Sequence, residues 1–294
     1  MIDVKPASGE RSPRSGSSLL RIICDSHQKL SVPPESGFIE WWYQKYKSWN
    51  VLDSKNSEKI NQFCIDLESS KKFETWNFDL NLFKDLISKE TPSNYSQLLM
   101  LVYISFGLQR GKNILAFGDK NNYYIKKTKL LNELFPNAKY IHIVRDGRDV
   151  ATSYMAMKNL VTASSYIPKL PYKIKDIAIE WHKNNQNLIT FFKSFPKNKV
   201  LIIRYEDLIL QLESECKKIT NFLNIPFDKN MLNYYNINKE LNIEPIETLD
   251  WKRKTLEKPD VLNIEKYKDL LSKEEIGIFN SIAKNTLNHF DYVH

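Results

Sequence analysis

Lys139-Tyr140-Ile141-His142-Ile143-Val144-Arg145-Asp146-Gly147-Arg148-Asp149-Val150-Ala151-Thr152-Ser153 is the stretch on which the fold turns. Its first six residues are mostly β-branched or aromatic, the pattern of a strand buried on both faces of a parallel sheet. Arg145 ends the apolar run, Gly147 reads as a turn, and a helix carrying Ser153 follows. Open α/β sheets bind ligands at the carboxyl ends of their strands, so Arg145 and Ser153 are expected at one such edge. A guanidinium beside a hydroxyl suits a terminal phosphate dianion. A structural ion pair between Arg145 and Asp149 would explain the arginine equally well.

Working outward, Asn113 to Phe117 and Val200 to Ile203 also have strand character, and the intervening segments are long enough for crossover helices. That alternation predicts an α/β fold with a central parallel sheet flanked by helices. Helices are predicted over Asp176 to Phe192 and Ser214 to Leu223, and Ser272-Lys273-Glu274-Glu275 is a capping-box start for the last one. Between about Phe38 and Leu108 the spacing is helical and aromatic-rich, with Trp41-Trp42-Tyr43 near its start and a break at Pro92. Residues 38–110 therefore read as a helical insert or acceptor-side lid within a single domain, residues 1–294.

With 294 residues and 42% apolar content the chain can fill one sizeable core. A net charge of +8, from 43 basic and 35 acidic residues, suits an anionic ligand without selecting one. Cys24, Cys64 and Cys216 are odd in number and far apart, which favours reduced thiols in a cytoplasmic protein over a disulfide framework. The longest apolar run, Leu98 to Phe106, is too short to span a bilayer, and no secretory signal pattern opens the sequence. No membrane span is expected. Asn94-Tyr95-Ser96 matches a glycosylation sequon that an unexported chain would never use.

Ser12-Pro13-Arg14-Ser15-Gly16-Ser17-Ser18 lies directly ahead of Leu19-Leu20-Arg21-Ile22-Ile23, which has helical apolar spacing. Unpaired backbone amides and the helix dipole would meet an anion there. On the pattern G-x-x-x-x-G-K-[ST], Gly16 and Ser18 fit, but Arg11 replaces the first glycine and Ser17 the lysine. A nucleoside-triphosphate site would miss that lysine. Taken alone, the loop could be a plain basic turn.

Loop and strand together, in this order, resemble the PAPS-dependent sulfotransferase family, whose members pair an early P-[RK]-S-G-[ST]-[ST] loop with an R-x7-S segment. The detailed resemblance is to bacterial sulfotransferases related to tyrosylprotein sulfotransferases. It runs through Arg14 to Arg21, Asp25-Ser26-His27, Asp119-Lys120, Leu134 to Lys139 and Arg145 to Arg148, and weakly through Trp251 to Phe290-Asp291-Tyr292. It implies a P-loop-NTPase-like three-layer fold and transfer of a sulfuryl group from PAPS, 3′-phosphoadenosine 5′-phosphosulfate, to an acceptor hydroxyl. It further implies that Arg14, Ser15, Gly16, Ser17 and Ser18 hold the 5′-phosphosulfate, that Arg145 and Ser153 hold the 3′-phosphate, and that Tyr205 contacts the nucleotide. Tyr205 could instead be a strand-end tyrosine packing on a loop. Lys252, Arg253 and Lys254 are suggestive, though a basic run is more often a solvated face.

Sulfuryl transfer needs a base for the acceptor hydroxyl and positive charge where the leaving phosphate oxygen becomes anionic. Nothing in this logic requires a metal, and none is expected. Glu35, in Leu30-Ser31-Val32-Pro33-Pro34-Glu35, matches the position of the catalytic glutamate in the tyrosylprotein branch. It could otherwise serve as a helix N-terminal charge before Phe38 to Tyr43. Lys120, after the Asn113 to Phe117 strand, matches the leaving-group lysine, with a solvated strand-end lysine as the alternative. His27 and His142 read as structural.

One departure stands out. Pro6-Ala7-Ser8-Gly9-Glu10-Arg11, where the family has its first central strand, has no β-branched residue, and Gly9, Glu10 and Arg11 disfavour a buried strand. Met1-Ile2-Asp3-Val4 is apolar enough for a short strand, separated from the loop by this polar insert. The competing functions are a catalytically impaired, sulfotransferase-like nucleotide-binding protein and a P-loop nucleotide kinase-like enzyme, which the missing lysine disfavours. A nucleic-acid-binding module lacks any recognisable motif, and no nucleic-acid partner is expected. The acceptor, whether small molecule, sugar or peptide tyrosine, is not legible.

Overall fold

The computed structural model describes residues 3–6, 15–121 and 127–292. Five strands, β1 (Asp3–Pro6), β2 (Leu30–Ser31), β3 (Ala116–Gly118), β4 (Lys139–Val144) and β5 (Val200–Arg204), form one sheet in the order β2-β3-β1-β4-β5. Every pairing is parallel. The helices include α1 (Ser17–Asp25), α2 (Ser57–Glu68), α3 (Leu80–Glu90), α4 (Tyr95–Leu108), α5 (Gly147–Met157), α6 (Ile174–Phe192), α7 (Tyr205–Leu210), α8 (Leu212–Leu223) and α9 (Lys273–His289).

β4 is buried on both faces. Ile141 and Ile143 join Leu20 and Ile23 of α1, Leu208 of α7 and Ile219 of α8 in one cluster. Val144 packs in a different cluster with Trp181 of α6 and Phe279 of α9. The period-2 alternation of a strand thus serves two helical layers, giving the α/β three-layer arrangement expected from the apolar run. Gly147 is the first residue of α5 rather than a loop turn. A Cβ there would lie 2.4 Å from Phe279 and 2.6 Å from Trp181, so its missing side chain lets α5 approach α6 and α9.

The strand expected over Asn113 to Phe117 forms later, at Ala116–Gly118. The amides of Asn113 and Leu115 bond the carbonyls of Gln28 and Lys29, so these residues fasten the chain to the connection before β2. The central position ahead of the phosphate loop, for which Pro6 to Arg11 looked unsuited, is taken by Asp3–Pro6, which pairs with both β3 and β4. Main-chain pairing on both sides needs no β-branched side chain, and Pro6 stands at the strand end, where its missing N–H matters least. Residues 7–14, and with them Arg14, lie outside the described residues.

Residues from Phe38 to Leu108 form the helical segment expected, around an aromatic core that includes Phe38, Phe63, Trp76, Tyr103 and Phe106. That core continues onto the sheet: Tyr103 stacks on Phe117 of β3 at 5.1 Å, and Ser31 Oγ donates to the Tyr103 carbonyl at 2.6 Å. The sequon residue Asn94 is the N-cap of α4, its side chain accepting from the Gln97 amide at 3.0 Å. Ser272 and Glu275 form the expected capping box. No helix among the described residues is long and apolar enough to cross a membrane.

Candidate active site

Gly16 caps α1 in the left-handed region, at φ 91°. Among the described residues no side chain caps the helix start, and its first turn carries no acidic residue, so the positive end of the dipole is left for an anion. A Cβ on Gly16 would lie 2.4 Å from the ring of Tyr205, so the loop and the start of α7 touch here. Tyr205 does pack on the loop, and it also carries the Arg145 guanidinium, whose Cζ lies 4.4 Å from the ring centroid. Arg145 Nη2 donates to the Asn263 carbonyl at 2.6 Å, and Trp181 Nε1 donates to the Arg145 carbonyl at 3.2 Å. Ser153 Oγ accepts from Lys266 at 3.2 Å.

Asp149 has a different task from the ion pair considered for it. Its two carboxylate oxygens accept the backbone amides of Glu265 and Tyr267, at 2.9 and 3.0 Å, fixing the C-terminal segment against α5. Arg148 is structural as well: it pairs with Asp146 at 2.7 Å, donates to the Tyr292 carbonyl at 2.6 Å and stacks on Tyr267. His27 Nε2 bonds the Pro226 carbonyl at 2.8 Å, and His142 is buried between Phe192 and Phe290. Both histidines are structural, as read from the sequence.

The segment leading to Glu35 is hung from α1. Arg21 donates to the Val32 carbonyl at 3.1 Å and Asp25 accepts the Val32 amide at 2.9 Å, one turn apart on the same helix face. Arg21 also pairs with Glu244 at 2.7 Å, and both side chains are almost wholly buried. Glu35 Oε1 is paired with Lys120, and Oε2 accepts from Lys72 at 3.0 Å. It does not cap the helix at Phe38, whose N-cap is Gly37. Lys120 is no solvated strand end, because only 2% of its side chain is exposed.

These contacts set the charges. Burial alone would raise the Glu35 pKa, but Lys120, Lys72 and Lys252, with the Lys120 hydrogen bond, hold it well below the usual carboxylate range. Burial lowers the Lys120 pKa, opposed by Glu35 and assisted by Lys252. Glu244, buried but facing Lys252 and Arg21, is lowered to about 2.

Gly16, Ser17, Ser18, Glu35, Lys120, Arg145, Ser153 and Tyr205 all line one cleft of about 1110 Å³, open solvent at its mouth included. Ser15 is buried beside it at the start of the loop. Among the described residues seven cationic side chains line the cleft against three carboxylates. Lys72, Lys258 and Lys266 were not anticipated. Lys252 and Lys254 line the cleft as well: Lys252 is paired with Glu244 with 16% of its side chain exposed, whereas Arg253 and Lys254 are both exposed, Lys254 with its amine on Asn263 Oδ1. The Trp251-Lys252-Arg253-Lys254 string was the available signal; its inward direction depends on Glu244.

The sequence profile of the sulfotransferase family matches residues 12–229. Protein-tyrosine sulfotransferase A of Caenorhabditis elegans is 26% identical over 237 residues, 80% of this chain and 54% of that protein. The Drosophila melanogaster protein-tyrosine sulfotransferase is 24% identical over 256 residues, 86% of this chain and 44% of that one. The chain thus spans about half the length of these curated relatives. Among solved structures, the sulfotransferase domain of the Synechococcus PCC 7002 olefin synthase superposes with a TM-score of 0.58 at 20% identity, covering 96% of this chain and 94% of that domain. Mouse sulfotransferase SULT7A1, complexed with PAP, gives 0.50 at 14% identity, covering 96% and 82%. Because the profile takes in every cleft residue from Ser15 to Tyr205 on a fold that solved sulfotransferases share, the chain belongs to the sulfotransferase family.

Proposed function

We propose that the protein moves a sulfuryl group from PAPS to an acceptor hydroxyl. The observation that carries this reading is the convergence, in one electropositive cleft, of an uncapped helix N-terminus, a buried arginine with a nearby serine, and a carboxylate beside a buried lysine. The residues present suit a polyanionic nucleotide: the excess of cations matches its charge, and the missing side chain of Gly16 lets the loop pack against Tyr205 at the cleft wall. When bound, PAPS would supply the activated sulfuryl group. Ser15 to Ser18, with Arg14, would hold its 5′-phosphosulfate, Arg145 and Ser153 its 3′-phosphate, and Tyr205 would contact the nucleotide. The PAP bound to the mouse enzyme supports the choice of donor.

In this reading Glu35 takes the proton of the acceptor hydroxyl. Lys120 neutralises charge developing on the leaving phosphate oxygen. The acceptor is a small phenol or alcohol, a sugar or a peptide tyrosine, the last in keeping with the names of the curated relatives. Incubating the purified protein with isotope-labelled PAPS and acceptors of each class, followed by mass spectrometry, tests the proposal. A labelled sulfate ester supports it.

A second reading, nucleotide binding without turnover, is favoured by one observation: both oxygens of Glu35 are already ion-paired. Binding of adenosine 3′,5′-bisphosphate with no ester formed from any acceptor class would select it.

A further inference from the structure

Lys72 enters the cleft from the helical insert, a direction none of the nucleotide motifs covers. It sits after α2, just ahead of the short turn Phe73–Trp76, with its backbone in the left-handed region at φ 69°. A lysine holds that conformation only at an energetic cost, so surrounding contacts impose it. Ser36, next to Glu35, donates to the Lys71 carbonyl at 3.2 Å, and Thr75 donates to the Lys72 carbonyl at 2.7 Å. The turn is thereby fastened to the base segment and aims Lys72 at Glu35 Oε2.

The two oxygens of Glu35 are therefore unequal. Oε1 belongs to Lys120, which is enclosed at the end of β3 with 2% of its side chain exposed. Oε2 belongs to Lys72, which is 25% exposed on a flexible four-carbon stem. The charged groups bearing on Glu35 are Lys120 from the sheet, Lys72 from the insert and Lys252 from the turn Leu249–Lys252. Lys252 is itself engaged by Glu244. Lys72 has the most exposed side chain of the three, and while bonded to Glu35 its Nζ also lies 5.7 Å from the centroid of Tyr166, which lines the cleft.

We propose that Lys72 is a positioning residue for the transfer reaction, holding Glu35 Oε2 toward the cleft between turnovers and yielding that oxygen to the acceptor hydroxyl. The inference rests on the reading of Glu35 as the base. The acceptor O–H bond breaks, its proton forms a bond to Oε2, and the proton later leaves to solvent as Lys72 returns.

The test uses the full chain in wild-type, Lys72→Met and Lys72→Arg forms. Glu35 is titrated by NMR with carboxyl-labelled glutamate, its signal assigned with Glu35→Gln, and kcat/KM is followed against pH. In Lys72→Met the Glu35 signal should titrate at higher pH and the acid limb of kcat/KM should move the same way. Lys72→Arg should restore both positions. An unmoved signal and limb in Lys72→Met would overturn the proposal, leaving Lys72 a surface partner. So would a loss of kcat at every pH that arginine does not rescue. A Glu35 titration that moves with Lys72 in a protein that transfers no sulfate overturns the base reading, and the inference with it; the titration itself tells that failure from the first.

Discussion

Glu35 and Lys120, 85 residues apart in sequence, form one ion pair inside the cleft, and the lysine is all but sealed from solvent. A buried pair of this kind contributes little net stability, because desolvation offsets the attraction, so its chemistry is the better guide to its presence. The proposed transfer gives the two partners separable roles, one toward the acceptor proton and one toward the leaving phosphate.

Glu35→Gln keeps size and hydrogen bonding but removes proton-accepting power, and should lower turnover about 10²- to 10⁴-fold with nucleotide affinity little changed. Lys120→Ala should slow transfer even to strongly acidic phenols, which are already ionised and bypass the base. Rates with acceptors of graded pKa check both. A Glu35→Gln enzyme with wild-type rates on weakly acidic acceptors would end the candidacy of Glu35.

Arg145 and Ser153 predict which part of the nucleotide matters most. Calorimetric titration should show adenosine 3′,5′-bisphosphate binding more tightly than 5′-AMP, with the difference shrinking in Arg145→Met, since a charge-assisted contact to the 3′-phosphate is then absent from both. Equal affinity of the wild type for the two ligands would remove the assignment of the 3′-phosphate site.

Gly16 and Gly277 should respond oppositely to alanine. At Gly16 the added Cβ meets Tyr205 and the backbone is left-handed, so Gly16→Ala should cost about 1–3 kcal/mol and weaken bisphosphate binding. Gly277 lies within α9 with nothing within 4 Å of an added Cβ, so Gly277→Ala should stabilise by about 0.4–1 kcal/mol and leave binding untouched. Thermal unfolding and calorimetry on both variants decide the matter.

Glu244 gives the acid limb of stability a specific source. Its pKa is lowered from 4.5 to about 2, so its contribution is fully present above pH 4.5 and is lost as the pH falls toward 2. That contribution is about 3 kcal/mol by linkage. Urea unfolding of the wild type and Glu244→Gln should show the variant less stable at pH 7, with the two converging near pH 2. A constant separation down to pH 2 would show that the ion pairs of Glu244 with Arg21 and Lys252 do not govern the acid response.

The strand Lys139–Val144 was legible to the residue because five consecutive buried residues, Tyr140 to Val144, serve both faces and leave a local composition signal. The start of α9 was equally legible, because a capping box is a contact between residues three apart. β3 was misplaced by three residues at its start, since the pairing of Asn113 and Leu115 with Gln28 and Lys29 is a contact across more than 80 positions. Met1 to Val4 is apolar enough for a short strand, but that β1 takes the central place is not legible there, because its pairing with β3 and β4 is carried by main chain, which leaves no mark on side-chain composition.

The sequence by itself determined the class of fold, the helix α1 directly after Gly16, and the placing of Arg145 just past β4 with Ser153 on α5, because each is set by neighbours within one turn or one strand. Tertiary structure alone decided that Lys72 and Lys120 divide the two oxygens of Glu35, that Arg21 and Asp25 hang the base segment from α1, and that Lys252 faces inward on Glu244. The physical reason is that a lysine or arginine looks the same in sequence whether solvated or buried. Its direction is set by a distant carboxylate that makes burial tolerable, and only the folded chain brings the two together.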